Sequence, residues 1–332
     1  MDPRTPSTTG QPARRRTVDS LTFVARRLVL GVVLLFTAMT LMYFLVSANP
    51  QTVARTILGG SATLDQVTAK IAELGLDRPV IAQYGDWLAG LLRGDLGISY
   101  ITGTPVVESL ALHLPVTLSI VVGAVLVTAV LAVIIGTVAG LRRGWVDHAL
   151  QLVAVVGTAI PGFLVALIVV SIFAIQLGWF PAVGYTSFAK DPVLWAQGLV
   201  LPIASICVVA TSAAAMQLRN AVIEVNGRDF VRTLRSRGFS EGRVVGIHVL
   251  RAAAPVMLSV LALQFVGMLS GIVVIEQIFA LQGIGSDALQ GTTKGDVPVV
   301  LGVILVSVTI VVVINILVDL VNAWVNPKVR LS

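Results

Sequence analysis

Six stretches of this sequence run for about twenty residues or more with almost no charge, the length at which an α-helix crosses the hydrocarbon layer of a bilayer. They cover 28–46, 114–141, 149–177, 194–218, 256–275 and 299–320. Of the 332 residues 56% are apolar and 12% charged, against roughly 25% charged in an ordinary soluble domain. A soluble fold of this length would leave too much of that surface facing water, so lipid is the natural solvent. The expected fold is therefore an all-α membrane protein of about six transmembrane helices.

The first span raises the question of a secretory leader, because Val46-Ser47-Ala48 resembles a cleavage site. A leader's apolar core is only about 7–15 residues long, so this longer run is expected to be retained. The single cysteine, Cys207, lies inside an apolar stretch and can form no internal disulfide. It is expected to be a small packing residue.

The net charge of +6 is distributed as a topology signal and does not call for nucleic acid. Arg14, Arg15, Arg16, Arg26 and Arg27 precede the first span, and Arg142 and Arg143 follow the second. Arg219, Arg228, Arg232, Arg235, Arg237, Arg243 and Arg251 fill the connection after the fourth, and Lys328 and Arg330 end the chain. The alternate loops mix signs, with Lys190 beside Asp191 and Lys294 near Asp287 and Asp296. The first loop carries Asp65, Glu73, Asp77, Asp86, Asp95 and Glu108. By the positive-inside rule both termini are cytoplasmic and the first loop is external, an arrangement that six spans satisfy.

These signals divide the chain into a disordered cytoplasmic tail (1–20), a first transmembrane helix (21–48), an external loop (49–113), a core of five spans (114–325) and a cytoplasmic C-terminus (326–332). The external loop shows helical periodicity. Thr63-Leu64-Asp65-Gln66 reads as a capping box, Leu64, Val67, Ile71 and Leu74 form one face, and Gly75 suits a helix end. A second helix can start at Pro79, with Val80, Tyr84, Trp87, Leu88 and Leu91 on its apolar side. Pro161 and Pro202 lie inside spans three and four, where loss of a backbone donor predicts a kink.

The connection at 219–255 is far longer than a linker requires. Within it Asp229 can cap a helix and Gly238 can end it in a left-handed conformation. Arg228, Arg232 and Arg235 share one face, with Val231 and Leu234 on an apolar edge. A second start follows at Ser240-Glu241. From charge alone, such a helix could contact anionic lipid or receive a cytoplasmic partner.

The residues Asp229, Phe230, Val231, Arg232, Thr233, Gly238, His248, Arg251 and Pro255 resemble the cytoplasmic loop of binding-protein-dependent ABC importer permeases, in the form found in dipeptide and oligopeptide systems. The segment 76–88 (Leu-Asp-Arg-Pro-Val-Ile-Ala-Gln-Tyr-Gly-Asp-Trp-Leu) with 94–99 is similar to the first permease subunit of those systems. So are 276–285 (Glu-Gln-Ile-Phe-Ala-Leu-Gln-Gly-Ile-Gly), 315–319 and 326–330. Leu234, Arg237, Gln282 and Asn326 depart from the residues usual there.

The resemblance implies the type I importer (MetI-like) permease fold in a bacterial inner membrane. It implies a coupling helix at 229–243 that docks on a separate ATPase through Asp229, Phe230, Arg232, Thr233, Arg235, Arg237, Gly238, Ser240 and Glu241. The implied partners are a second homologous permease, one or two cytoplasmic ATPases that bind ATP and Mg, an external substrate-binding protein, a peptide substrate and membrane lipid. Relatives of the family also handle nickel or haem, so another small ligand is the alternative cargo.

No phosphate-binding G-x-x-x-x-G-K-[ST] occurs, so ATP and other cofactors are not expected on this chain. His113, His148 and His248 lack metal-ligand spacing, and no catalytic constellation is visible. An ion-coupled transporter would place an acid near the midplane, and none stands there. Pro161, Gln264 and Glu276 are the candidates for the translocation pathway, with structural pairing the competing role for Glu276.

Overall fold

The computed structural model describes residues 13–47, 49–142 and 144–325. They form α1 (Ala13–Val46), α2 (Pro50–Leu58), α3 (Leu64–Glu73), α4 (Val80–Leu92), α5 (Val106–Leu141), α6 (Trp145–Ala159) and α7 (Gly162–Val169). After α7 the chain continues as a wider π turn, Val170–Gln176. Then come α8 (Pro192–Asn226), α9 (Asp229–Ser236), α10 (Glu241–Arg243), a second π turn (Val244–Val249), α11 (Leu250–Ile278), α12 (Ile284–Lys294) and α13 (Val297–Val325). Among the described residues five helices are long and apolar enough to cross a membrane, and six if the bent α6–α7 pair is one span.

Three sequence expectations change in detail. Residues 13–20 belong to α1 rather than to a disordered tail, while 1–12 and 326–332 lie outside the described residues. Span three is broken, not merely kinked: its halves meet at 96° around Pro161. Proline removes a donor and forces its predecessor out of the helical region, and Ile160 is accordingly extended at φ −82°, ψ 125°. Span four, by contrast, runs unbroken through Pro202.

The helices α5 and α8 lie parallel and form the centre of the molecule. Between lipid-bathed helices apolar burial gives little drive, so close approach of backbones has to hold them. Small residues permit it. A Cβ added to Gly136 would lie 2.7 Å from the Ala215 carbonyl oxygen, and one on Gly140 would lie 2.8 Å from Val222 Cγ1. Cys207 packs in the same seam, its Sγ 3.6 Å from Thr128 Oγ1. Antiparallel to α8, α6 is fixed by Asp147, whose carboxylate accepts from Arg219 Nε and, at 2.5 Å, from Nη2.

At the opposite end from α9, the capping box forms as expected: Thr63 N–H donates to Gln66 Oε1 (3.0 Å) and Gln66 N–H to Thr63 Oγ1 (3.4 Å). Val67 is buried, but Leu64 is 65% exposed and leaves the expected face. On α4, Val80, Tyr84 and Trp87 pack against Tyr43 of α1 and Val297 and Leu301 of α13. Tyr84 also shares a 2.7 Å hydrogen bond with Thr40 of α1.

Three acids at 276–296 then tie this end together. Glu276 accepts from Thr117 Oγ1 (2.5 Å), Asp287 pairs with His113 Nδ1 (2.7 Å), and Asp296 accepts from Ser99 Oγ (2.5 Å) and Tyr100 N–H (3.1 Å).

Candidate functional site

The connection between α8 and α11 folds as a helical hairpin on one face of the bundle. The face is shared with the C-terminal ends of α5 and α8. α9 is short, so burial of one residue has to hold it. Val231 is fully buried in a cluster with Leu218, Val222, Val225, Val244 and Val249, and Leu234 packs beside it. The helix is thereby set against the end of α8 and the π turn that leads into α11.

Arg228, not Asp229, occupies the N-cap position. No side chain closes the turn; Asp229 is instead the first helical residue, where an acid favours the positive end of the helix dipole. The far end stops as the sequence predicts. Gly238 takes φ +79°, its N–H donates to the Arg235 carbonyl (2.9 Å), and Phe239 N–H reaches back to the Leu234 carbonyl (3.3 Å). Only glycine adopts this conformation without strain.

The nine residues expected to couple to an ATPase divide into two groups. Arg235 is an internal clamp: Nε donates to Glu241 Oε1 (2.6 Å), and Nη2 reaches both Glu241 Oε2 (3.1 Å) and Asn226 Oδ1 (2.8 Å). The bond to Glu241 holds the Arg235 guanidinium above its ordinary pKa. Arg235 and Glu241 therefore spend their charge on each other. Asp229, Phe230, Arg232, Thr233, Arg237, Gly238 and Ser240 face outward. The result is an exposed aromatic ring (Phe230, 41% exposed) on the same short helix as the exposed Arg232, a helix whose other side is fixed by Val231. The second turn is braced by Phe239, whose ring stands edge-on to His248 at 6.2 Å with Arg243 5.9 Å from its centre.

The candidate pathway residues also separate. A cavity of about 330 Å³ lies between α7, α8 and α11, lined among others by Gly162, Phe163, Ser205, Val209, Gln264 and Gly271. Gln264 stands on its wall, and Pro161 sets the break that places Gly162 there. Glu276 does not reach it. Its side chain is fully buried, accepting from Thr117 Oγ1 and from Ser286 N–H (2.7 Å), with Thr117 Oγ1 in turn accepting from Ile284 N–H (3.0 Å). Glu276 thus makes the structural pairing that competes with a pathway role. An acid this deeply buried needs donors more than it needs water. A second, larger cavity of about 720 Å³ between α5, α6 and α8 is lined mostly by aliphatic side chains.

Comparison with known proteins bears on the whole assembly of elements. Residues 129–331 match the binding-protein-dependent transport system inner membrane component, and residues 20–121 match the N-terminal part of such membrane components. The chain belongs to this family. A putative peptide transport system permease protein of Brucella abortus is 35% identical over 308 residues, covering 92% of this chain and 98% of that protein. The di/tripeptide transport system permease protein DppB of Pseudomonas aeruginosa is 32% identical, covering 93% and 99%. The glutathione transport system permease protein GsiC of Escherichia coli O6:H1 is 30% identical with the same coverage. Membership in the family makes the chain a multi-pass inner membrane component of a transport system, and the α9 hairpin lies inside the matched region.

Proposed function

We propose that this chain is the transmembrane permease subunit of an ATP-driven ABC importer for dipeptides or oligopeptides. The observation that carries the reading is the α9 hairpin. It offers Phe230, Arg232 and Arg237 outward while Val231 welds it to the end of α8 and to the π turn that runs directly into α11. A body that pushes on such a helix moves both spans with it. The named relatives support peptide as the cargo. In this reading both termini and α9 are cytoplasmic and α2–α4 are external. The partners are a second homologous permease, one or two ATPases that carry ATP and Mg, and an external binding protein that delivers the peptide. This chain supplies the passage and the mechanical contact, with no cofactor of its own.

Purification in mild detergent is expected to bring down ATPase subunits and a second permease. Replacing Gly238 with valine then tests the coupling contact. The left-handed turn resists a β-branched residue, so α9 shifts on its seat. In proteoliposomes the variant complex is expected to hydrolyse ATP while peptide uptake falls to background. Normal uptake by Gly238→Val would sink the coupling role of α9.

A further inference from the structure

The cavity between α7, α8 and α11 sits at mid-depth of the molecule. Gln264 is equidistant from the two ends of α11, and Val209, on the facing wall, is central in α8. An uncharged amide at that depth is costly unless something satisfies it. Among the described residues its amide has no hydrogen-bond partner within the chain, although neighbouring polar groups do: Ser205 Oγ donates to the Leu201 carbonyl at 2.7 Å, and Ser270 Oγ to the Val266 carbonyl at 3.0 Å. Most of the remaining wall is aliphatic, aromatic or glycine. Cβ atoms added to Gly162, Gly267 or Gly271 would meet nothing within 4 Å, so open space lies in front of all three. The break at Pro161 contributes here as well, because α7 starts at Gly162 with no side chain capping its first amides.

An amide carries one acceptor and two donors, the complement of a peptide bond's N–H and C=O. An aliphatic wall has no means of selecting polar side chains. Accepting the peptide-importer reading above, we propose that Gln264 is the mid-membrane contact for the main chain of the transported peptide. It holds the peptide bond while the rest of the cavity remains indifferent to side-chain identity. The site is then a way-station shared by all cargoes of the transporter, and sequence preference is left to the binding protein.

The test uses the complete transporter reconstituted in proteoliposomes with its binding protein. Gln264→Leu keeps the bulk and removes both hydrogen-bonding functions. Uptake is expected to fall about five-fold or more, the worth of one good hydrogen bond, and by a similar factor for peptides of different side chains. Binding-protein-stimulated ATP hydrolysis is expected to persist, and Gln264→Asn to recover part of the uptake. In a Cys207→Ala background, Gln264→Cys is expected to react with a soluble maleimide, with peptide slowing the reaction during turnover. Leu263→Cys, one residue away on a 75% exposed position, is expected to show no such protection. Wild-type uptake by Gln264→Leu, or labelling of Gln264→Cys that peptide leaves unchanged, overturns the proposal. If the unmutated complex transports no peptide, the importer reading itself falls and this inference with it, a result distinct from either of those.

Discussion

Ala280 is the one described non-glycine residue in the left-handed region, at φ 47°. It stands just beyond the end of α11, where the Leu281 N–H returns to the Glu276 carbonyl at 2.8 Å and the Ala280 N–H to the Gln277 carbonyl at 3.3 Å. That closure usually employs glycine. Here Phe279 and Leu281, both buried, fix the turn in spite of its Cβ. Ala280→Gly is expected to raise stability by about 1 kcal/mol, read as a higher midpoint of thermal unfolding in detergent. Nearby, Glu276→Ala is expected to cost about 3 kcal/mol or more, since it empties a packed site and strands the Thr117 hydroxyl and the Ser286 N–H. Glu276→Gln should cost far less. Its carbonyl oxygen can still accept from Ser286 N–H, and only the Thr117 proton loses its acceptor. Equal losses for the two variants would remove the hydrogen-bond account of this site.

Among the elements, α9 shows how far local signals reach. Its start near Asp229, its stop at Gly238 and its apolar edge at Val231 and Leu234 are all legible, because each depends on residues within a turn or two. The clamp was not. Arg235 lies on the same helical face as Arg228 and Arg232, and nothing in that spacing says which guanidinium turns to Asn226 and Glu241. Removing it by Arg235→Ala is expected to speed hydrogen exchange across 229–243 while the α5–α8 seam stays protected. Exchange unchanged in α9 would mean that the apolar seat of Val231 and Leu234 holds it without the clamp. The broken third span teaches the converse. Pro161 marks a disturbance in the sequence, but its size, a bend of 96°, depends on packing with distant helices that no local pattern reports.

At the scale of the molecule, the six-span order and the alternation of long helices with polar connections were readable from hydropathy, because lipid demands uninterrupted apolar length. The partners of the polar groups were not. Asp147 and Arg219 are 72 residues apart in sequence, Thr117 and Glu276 are 159, and neither pair has a local pattern to betray it. The first of these holds the lower half of the broken span to α8. Asp147→Ala is therefore expected to lower the thermal midpoint by several degrees, and the exchanged pair Asp147→Arg with Arg219→Asp to recover part of the loss. No recovery would show that the pair's exact geometry, and not its charge, fixes α6.

The three acids Glu276, Asp287 and Asp296 have a consequence for inheritance. Each belongs to the segment matched at 129–331, and each is taken up by a residue of the segment matched at 20–121: Thr117, His113 and Ser99. The two segments are thus written as separate passages but cannot be traded separately. A hybrid gene that joins the first segment of one relative to the second of another keeps its joint only where both parents bring matching donors and acids. Mixed chains should therefore assemble in proportion to how many of these three pairings survive, whatever the overall likeness of the parents.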